Sequence, residues 1–318
     1  DVVIGTHRLL SDQVQFKDLG LVIVDEEQRF GVEHKEALKK LRTNVDVLAM
    51  SATPIPRSVA MTVFGDLDLS VLEGLPSGRQ PVTTHVARMA HGPRVIGRVW
   101  ELIAEHVAAG HQAFVVCPRI DGEGGVTEVA ATLAATEFSG LTVAVLHGRM
   151  KGEEKDRVMA DFAAGGVDVL VATTVIEVGV DVPNATVMMV RESEHFGVSQ
   201  LHQLRGRVGR GGNQSLCLFH TLAEEDTPAY TRVSKVAATS DGFTLAELDL
   251  LNRREGDVLG TNQSGLHRTL QLINLVEDFD LVKRAYDDAE RLVADNLEFA
   301  RAATADFIPE DFEYLDKS

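Results

Sequence analysis

The sequence predicts an α/β fold: two parallel-sheet domains, the first incomplete, followed by a helical hairpin and an acidic helical tail. Three observations carry that prediction. Short apolar runs of strand length alternate with amphipathic stretches of helix length from residue 94 to residue 172, which is the pattern of a mostly parallel sheet with helices on both faces. Polar and charged residues gather where the runs end, at Asp25, Arg119, His147, Thr173 and Glu192, and open α/β sheets place their ligands at the carboxyl ends of strands. Beyond residue 225 strand-like runs give way to helical periodicity. With 318 residues, 44% of them hydrophobic and 25% charged, the chain is long enough for two cores of ordinary domain size.

Residues 1–4 read as a short buried strand, with Gly5-Thr6-His7 at its end, small and polar where a backbone can approach a ligand. Residues 19–24 form an uninterrupted apolar run, expected to be covered on both faces. The run ends on Asp25-Glu26-Glu27-Gln28. Three adjacent carboxylates repel one another unless something positive joins them; Mg²⁺ with a polyphosphate is the economical candidate, and a solvated acidic turn is the plain alternative. Residues 33–42 look helical and basic, and residues 45–50 form another apolar strand. Ser51-Ala52-Thr53-Pro54-Ile55-Pro56-Arg57 then makes a rigid loop, since two prolines so close forbid a helix while Ser51 and Thr53 offer hydroxyls. Residues 76–81, rich in turn formers, mark an interdomain linker.

In the second series, residues 94–108, 126–137 and 151–164 fit helices, and residues 113–117, 141–146 and 167–172 fit strands. Residues 175–183 form a valine-rich turn that contains Gly179 and Asp181. Gln203-Leu204-Arg205-Gly206-Arg207-Val208-Gly209-Arg210 then puts a carboxamide and three arginines beside two glycines. Residues 200–222 hold no acid, although acids outnumber bases 48 to 31 in the chain, so the local positive charge is not averaging noise. Arginine forks suit phosphate oxygens; a solvated basic turn is the plain alternative. Residues 243–251 read as a helix, 252–257 as a charged break, 269–301 as helical again, and the end from residue 302 as a solvated or loosely packed tail.

The formal charge of −17 argues against a nucleic-acid partner only superficially, because residues 276–318 hold 13 acids against 5 bases, a net of −8. No apolar run reaches the length of a membrane span and no signal peptide opens the chain, so an intracellular location is the default. Cys117 and Cys217 lie in apolar, strand-like runs and read as buried reduced thiols. The chain begins on Asp and enters an apolar run at once, as a fragment would.

These segments, in this order, resemble the motifs of superfamily 2 nucleic-acid helicases and translocases. Asp25-Glu26-Glu27-Gln28 looks like the Walker B motif II, Ser51-Ala52-Thr53 like motif III, residues 173–181 like motif V, and residues 203–210 like motif VI. Gly65-Asp66-Leu67-Asp68-Leu69-Ser70, His147-Gly148-Arg149-Met150 and residues 174–212 are similar to the bacterial RecG family of branch-migrating helicases, a resemblance that covers residues 1 to about 290. Residues 246–265 resemble the helical hairpin and loop that follow motif VI in RecG and in the transcription-repair coupling family Mfd, which is the nearest alternative.

The resemblance implies RecA-like sheets: a partial first domain over residues 1–78, a second over 79–225, the translocation hairpin and loop over 226–275 and the acidic tail over 276–318. It implies that Asp25 holds the Mg²⁺ of MgATP through water, that Glu26 polarises the attacking water, and that Arg207 and Arg210 act as arginine fingers beside Gln203. Gly179 and Asp181 would line the nucleotide side. Thr6 and His7, with Gly5, and Thr173 or Thr174 would contact the phosphate backbone of DNA. Ser51 and Thr53 would couple nucleotide state to that grip, and Arg253 and Gln263 would belong to the hairpin and loop that move duplex DNA. ATP and Mg²⁺ are the implied cofactors. The implied partners are branched DNA, meaning replication forks and Holliday junctions, and single-strand DNA-binding protein. A monomer in the bacterial cytoplasm at the nucleoid, with no membrane partner, completes the expectation.

The implied activity is an ATP-driven double-strand DNA translocase that migrates branches and regresses stalled forks in recombination and repair. The sequence departs from the family at Gln28, where many relatives have His, and at Arg254 and Glu255, where relatives commonly carry Gly and Pro. No G-x-x-x-x-G-K-[ST] loop occurs in the 318 residues, and no amino-terminal wedge domain. The chain alone is therefore expected to be inactive, and a DNA-binding or docking module without turnover is the reading from another class.

Overall fold

A computed structural model describes residues 2–11, 14–26, 30, 34, 38, 45–51, 70, 72, 80–177, 181–252 and 279–304. Its internal contacts divide the chain into two units, Asp1–Ile55 and Pro56–Ser318.

In the first unit, β1 (Leu21–Val24) pairs in parallel with β2 (Asp46–Ala49), Val24 opposite Ala49. The ladder extends by one bond at each end, Asp46 N–H to Gly20 C=O and Met50 N–H to Val24 C=O. His34 and Leu38, in the connection, are helical. The rest of residues 33–42 lies outside the described residues, as do residues 52–57 and 76–79.

Two expectations fail in this unit. Residues 2–6 form no strand, and Val2, Val3 and Ile4 are exposed. Among the described residues no strand lies beside them to satisfy their N–H and C=O groups, so β propensity has nothing to complete. The second concerns β1, expected to be covered on both faces. Val24 is buried, but Leu21 and Ile23 are each more than half exposed, and so is one face of this two-stranded sheet.

In the second unit six strands form one parallel sheet in the order β3-β8-β7-β4-β6-β5. They are β3 (Val82–Arg88), β4 (Gln112–Val116), β5 (Val143–Leu146), β6 (Val169–Ala172), β7 (Ala185–Val190) and β8 (Ser215–Thr221). Helices α1 (Pro93–Ala108), α2 (Val126–Ala135), α3 (Gly152–Ala163) and α4 (Val198–Arg205) lie between strands in the chain. After β8 come α5 (Pro228–Ala238), α6 (Gly242–Asn252), α7 (Phe279–Asp295) and α8 (Leu297–Thr304).

The central strands β4, β6 and β7 are buried along their whole length, which is why their sequences are apolar but for Gln112 and Thr186. Successive side chains go to opposite faces. Ala113, Val115 and Cys117 join one core with Val99, Trp100 and Ile103 of α1 and Leu133 of α2. Phe114 and Val116 join the other with Phe162 of α3, Leu201 and Leu204 of α4, and Val233 and Leu245 of α5 and α6.

Of the expected elements here, all six appear with shifts of a few residues at their ends. Strand β3 was not expected. Its alternation of Val82, Val86 and Ala87 with Thr83, Thr84 and His85 is a weak edge-strand pattern, and it follows directly on a linker-like composition. The helix expected over 269–301 is described from Phe279 and is two helices; Asn296 ends the first and caps the second, accepting from the Phe299 amide at 3.0 Å. The tail beyond residue 304 lies outside the described residues.

Phe162 has no exposed surface and packs on Phe114 with ring centroids 4.9 Å apart. Phe162→Ala is expected to lower the unfolding free energy by about 3–5 kcal/mol, read from urea denaturation curves of the two proteins.

Candidate functional site

The arginine-rich segment follows from how α4 ends. Leu201 and Leu204 fix the helix to the sheet, and Gly197 at its start donates its amide to Gln200 Oε1 at 3.1 Å. Past Arg205 the chain turns through Gly209, in the left-handed region at φ +74°, where a Cβ would come within 2.6 Å of Val82 Cγ2. At Gly211 a Cβ would lie 2.8 Å from the Pro183 carbonyl oxygen. Only glycine lets this loop press against the start of β3 and the segment before β7.

The three arginines meet three environments. Arg205 is 4% exposed, and its guanidinium donates to the carbonyls of Val236 at 2.7 Å and Thr239 at 2.8 Å and contacts His202 Nδ1 at 2.9 Å. It ties off the carboxyl end of α5, and burial lowers its pKa from the ordinary arginine value. The cluster as a whole is therefore not aimed at an anion; one member in three is structural. Arg207 is half-buried in the loop, and Arg210 is partly exposed. Arg210 Nε donates to the Gly206 carbonyl at 3.1 Å, and its Nη1 lies 3.4 Å from Asp181 Oδ1. The structure thus joins the expected motif V to motif VI through Asp181 and Arg210. Gln203 sits half-buried on α4. Gly179 lies outside the described residues.

Thr173 and Thr174 stand at the carboxyl end of β6, both half-buried; Thr174 opens a short 3₁₀ turn, Thr174–Glu177, and the Thr173 amide donates to Leu146 C=O at 3.2 Å. In the first unit Asp25 follows β1 directly and is exposed. Its Oδ1 accepts the Glu26 amide at 2.9 Å, and Glu26 adopts φ 54°, a backbone state that non-glycine residues enter at a cost of about 1–2 kcal/mol. Such strain is concentrated at working sites. Asp25 Oδ2 has no partner among the described residues, so the carboxylate fits a Mg²⁺ held through one acid, water and phosphate oxygens, the hard all-oxygen set that ion prefers.

Thr6 precedes the 3₁₀ turn His7–Leu10, both Thr6 and His7 are exposed, and the His7 ring meets His34 edge-on at 4.8 Å. Ser51 is exposed just beyond β2. Thr53, Arg253 and Gln263 lie outside the described residues. Cys117 and Cys217 are buried free thiols; burial pushes them up to about 11 and about 12, which keeps both protonated and inert as expected.

Sequence reasoning missed the role of Arg205 and the backbone of Glu192, another left-handed non-glycine residue at φ 47°. Nothing in the residue order separates a buried arginine from two partly exposed ones in the same motif.

Comparison with known proteins bears on each segment. A DEAD/DEAH box helicase family pattern matches residues 1–62, and the helicase conserved C-terminal domain matches residues 95–212. Residues 239–311 match the C-terminal part of domain 3 of the ATP-dependent DNA helicase RecG. The chain is 49% identical over 334 aligned residues to the ATP-dependent DNA helicase RecG of Mycobacterium tuberculosis, covering all of this chain and 45% of that protein. The chain belongs to the RecG family. The RecG of Thermotoga maritima is 43% identical over 303 residues, covering 94% of this chain and 38% of its own. A solved structure of RecG bound to a three-way DNA junction matches 89% of this chain and 36% of that one, with 43% identity and a TM-score of 0.65. The chain thus spans about half the length or less of the RecG proteins it matches. The RecG-specific match beyond motif VI favours RecG over Mfd.

Arg205→Ala is expected to cost about 2–4 kcal/mol of stability by stranding the carbonyls of Val236 and Thr239, whereas Arg210→Ala, whose ion pair is half in water, should stay within about 1 kcal/mol. Chemical denaturation of the two variants checks the ranking.

Proposed function

We propose that this chain is motor sequence of an ATP-dependent double-strand DNA translocase that migrates branches and regresses stalled forks in recombination and repair. The observation that carries the reading is the loop after α4. Glycines pin it against β3, Arg205 is withdrawn into the core, and Arg210 meets Asp181 of motif V. A loop evolved only as a basic surface turn would need neither the close approach at Gly209 nor the pairing with Asp181.

In this proposal Arg207 and Arg210, beside Gln203 and with Gly179 and Asp181 on the nucleotide side, stabilise the charge that develops on the transferred phosphoryl group. A positioned arginine of this kind is worth on the order of 10³ or more in rate. Glu26 orients and polarises the attacking water, its geometry fixed by the left-handed turn after β1. Asp25 would hold Mg²⁺ through water, the ion supplying charge neutralisation of the phosphates. Thr6, His7, Thr173 and Thr174 contact the phosphate backbone of DNA, Ser51 and Thr53 relay nucleotide state, and Arg253 and Gln263 belong to the hairpin and loop that turn hydrolysis into movement.

Branched DNA is the substrate class, supported by the relative solved on a three-way junction; forks and Holliday junctions are its forms, and single-strand DNA-binding protein is a further partner. Among the described residues no helix is long and apolar enough to cross a membrane. A monomer at the bacterial nucleoid, with domains over residues 1–78, 79–225, 226–275 and 276–318, completes the reading.

In a full-length RecG-family helicase carrying these residues, Arg207→Ala is expected to reduce fork-stimulated ATP hydrolysis at least a thousandfold while fork affinity changes little. Steady-state phosphate release and fork binding, measured on the same preparation, decide it; hydrolysis retained in Arg207→Ala removes the finger assignment.

A further inference from the structure

At the amino edge of the second sheet, where β4 and β7 begin, two histidines are left unused by the reading above. Helix α1 ends in a Schellman turn. Gly110, in the left-handed region at φ +87°, donates its amide to Val107 C=O at 2.9 Å, and the His111 amide donates back to His106 C=O at 3.0 Å. This closure brings together the side chains at its two ends, a contact that is ordinarily apolar. Here both are imidazoles, with ring centroids 6.3 Å apart and planes inclined at 50°.

The neighbouring amides fix which nitrogens are bare. Gln112 Nε2 donates to the carbonyls of Phe162 at 2.6 Å and Val167 at 2.7 Å, so Gln112 Oε1 is left as an acceptor. Asn184 Nδ2 donates to that oxygen at 3.4 Å and to Gly110 C=O at 3.0 Å. Asn184 Oδ1 is therefore an acceptor too, and His111 Nδ1, 3.1 Å away, carries the hydrogen. Neutral His111 then has its lone pair on Nε2. His106 Nδ1 lies 2.9 Å from Thr186 Oγ1, a hydroxyl able to accept, so its Nε2 is free to be bare as well. Asn184 and Thr186 stand two residues apart where β7 begins; both rings turn Nδ1 toward that strand and Nε2 away from it. Both rings are half-buried, and among the described residues neither Nε2 has a partner or is sealed from solvent.

An imidazole with Nδ1–H on an oxygen and an open Nε2 is the form in which histidine ligates a metal, the oxygen fixing the tautomer and the ring. At a metal–nitrogen distance of about 2.0–2.1 Å, two Nε2 ligands on one ion set their ring centroids about 5 Å apart at a tetrahedral angle and about 6.4 Å apart when opposite. The observed 6.3 Å lies at the wide end of that interval, and a small turn of either ring reaches the rest. Glu105, next in sequence, is not a ligand here, since Arg98 Nη1 holds its carboxylate at 2.7 Å. Among the described residues no third His, Cys, Asp or Glu joins the pair, so water completes the shell and the ion is exchangeable.

We infer that His106 and His111 form a site for a borderline divalent transition-metal ion, Cu²⁺, Ni²⁺ or Zn²⁺, bound through both Nε2 atoms. Imidazole suits these ions, and Cu²⁺ binds most tightly of the three; Mg²⁺, which takes oxygen ligands, is excluded. The ion ties the end of α1 to the start of β4. The inference is independent of the Mg²⁺ proposed at Asp25 and of the motor reading.

The test is calorimetric titration of Cu²⁺, Ni²⁺ and Zn²⁺ into the 318-residue chain at pH 7.5 in a non-chelating buffer, with electron paramagnetic resonance of the Cu²⁺ complex. One ion should bind per chain, unaffected by excess Mg²⁺, and the Cu²⁺ spectrum should show two coordinated nitrogens. His106→Gln and His111→Gln should each weaken binding at least tenfold and leave one nitrogen on the copper. Should either variant fail to fold, the wild-type chain decides by nuclear magnetic resonance: substoichiometric Cu²⁺ should broaden the imidazole signals of His106 and His111 before those of the other nine of its 11 histidines. Affinity and nitrogen count unchanged in a folded variant, a different set of histidines broadened first, or no binding by the wild-type chain each overturns the site.

Discussion

The second unit depends on one constraint: a parallel sheet covered by helices on both faces admits a polar side chain along its strands only where a hydrogen-bond partner is supplied. Strands β4, β6 and β7 are buried from end to end, and their apolar side chains enter one of two cores, while the two polar ones are hydrogen-bonded: Gln112 to the carbonyls of Phe162 and Val167, and Thr186 to His106. Chemistry is therefore pushed to the first residues past each strand. Arg119, Arg149, Thr173 and Glu192 all occupy such positions, and so does Asp25 past β1 in the first unit. The strand order then decides which of them become neighbours. Because β6 is inserted between β4 and β5, Thr173 comes to stand between two arginines that are far from each other in the chain.

The same constraint explains what could be read without coordinates. Continuous apolar runs such as 113–117 and 169–172 can hardly be anything but buried strands, and the polar residues ending them announce the candidate edge. What escaped was whatever depends on a neighbour not local in sequence. Residues 2–4 have strand composition but nothing described beside them to pair with, and β1 has an apolar sequence yet one open face. Strand β3 was missed for the opposite reason: its half-polar residues look like linker, and only the seven-residue register with β8, from Val82 opposite Ser215 to Arg88 opposite Thr221, makes it a strand.

Within the site, residue type was legible and assignment was not. Motif VI gives three arginines in six positions, and their fates are set by packing. Arg205 lies on the inner side of α4 where that helix meets the turn between α5 and α6, so its donors go to the Val236 and Thr239 carbonyls. Arg210 lies past Gly209, outside the core, and takes Asp181. A buried guanidinium must satisfy its donors or cost several kcal/mol, whereas an exposed one can exchange partners cheaply. That difference in exchangeability, rather than charge, separates a structural arginine from one able to act on a phosphate. The same contrast in exposure separates Arg119, paired with the buried Glu192, from Arg149, paired with the exposed Asp121.

The net charge of −17 bears on the proposed DNA-binding edge. At about 0.1 M salt the Debye length is about 10 Å, so acids farther than that from the edge contribute little to the energy of a bound phosphate. The proposed contacts at Thr173 and Thr174 would survive such screening because donor and phosphate touch. The global charge instead acts on encounter, where a polyanion approaches a net acidic chain from a distance and is repelled most at low salt. The two effects have opposite salt dependence. Affinity is lost as salt rises because counterions reoccupy the phosphates, while association is eased by the same rise. Under the proposed function, a chain of this composition would draw its grip on DNA from a few locally placed donors rather than from electrostatic steering, and the order of strands in the sheet, which sets which strand-end residues are neighbours, would govern that placement.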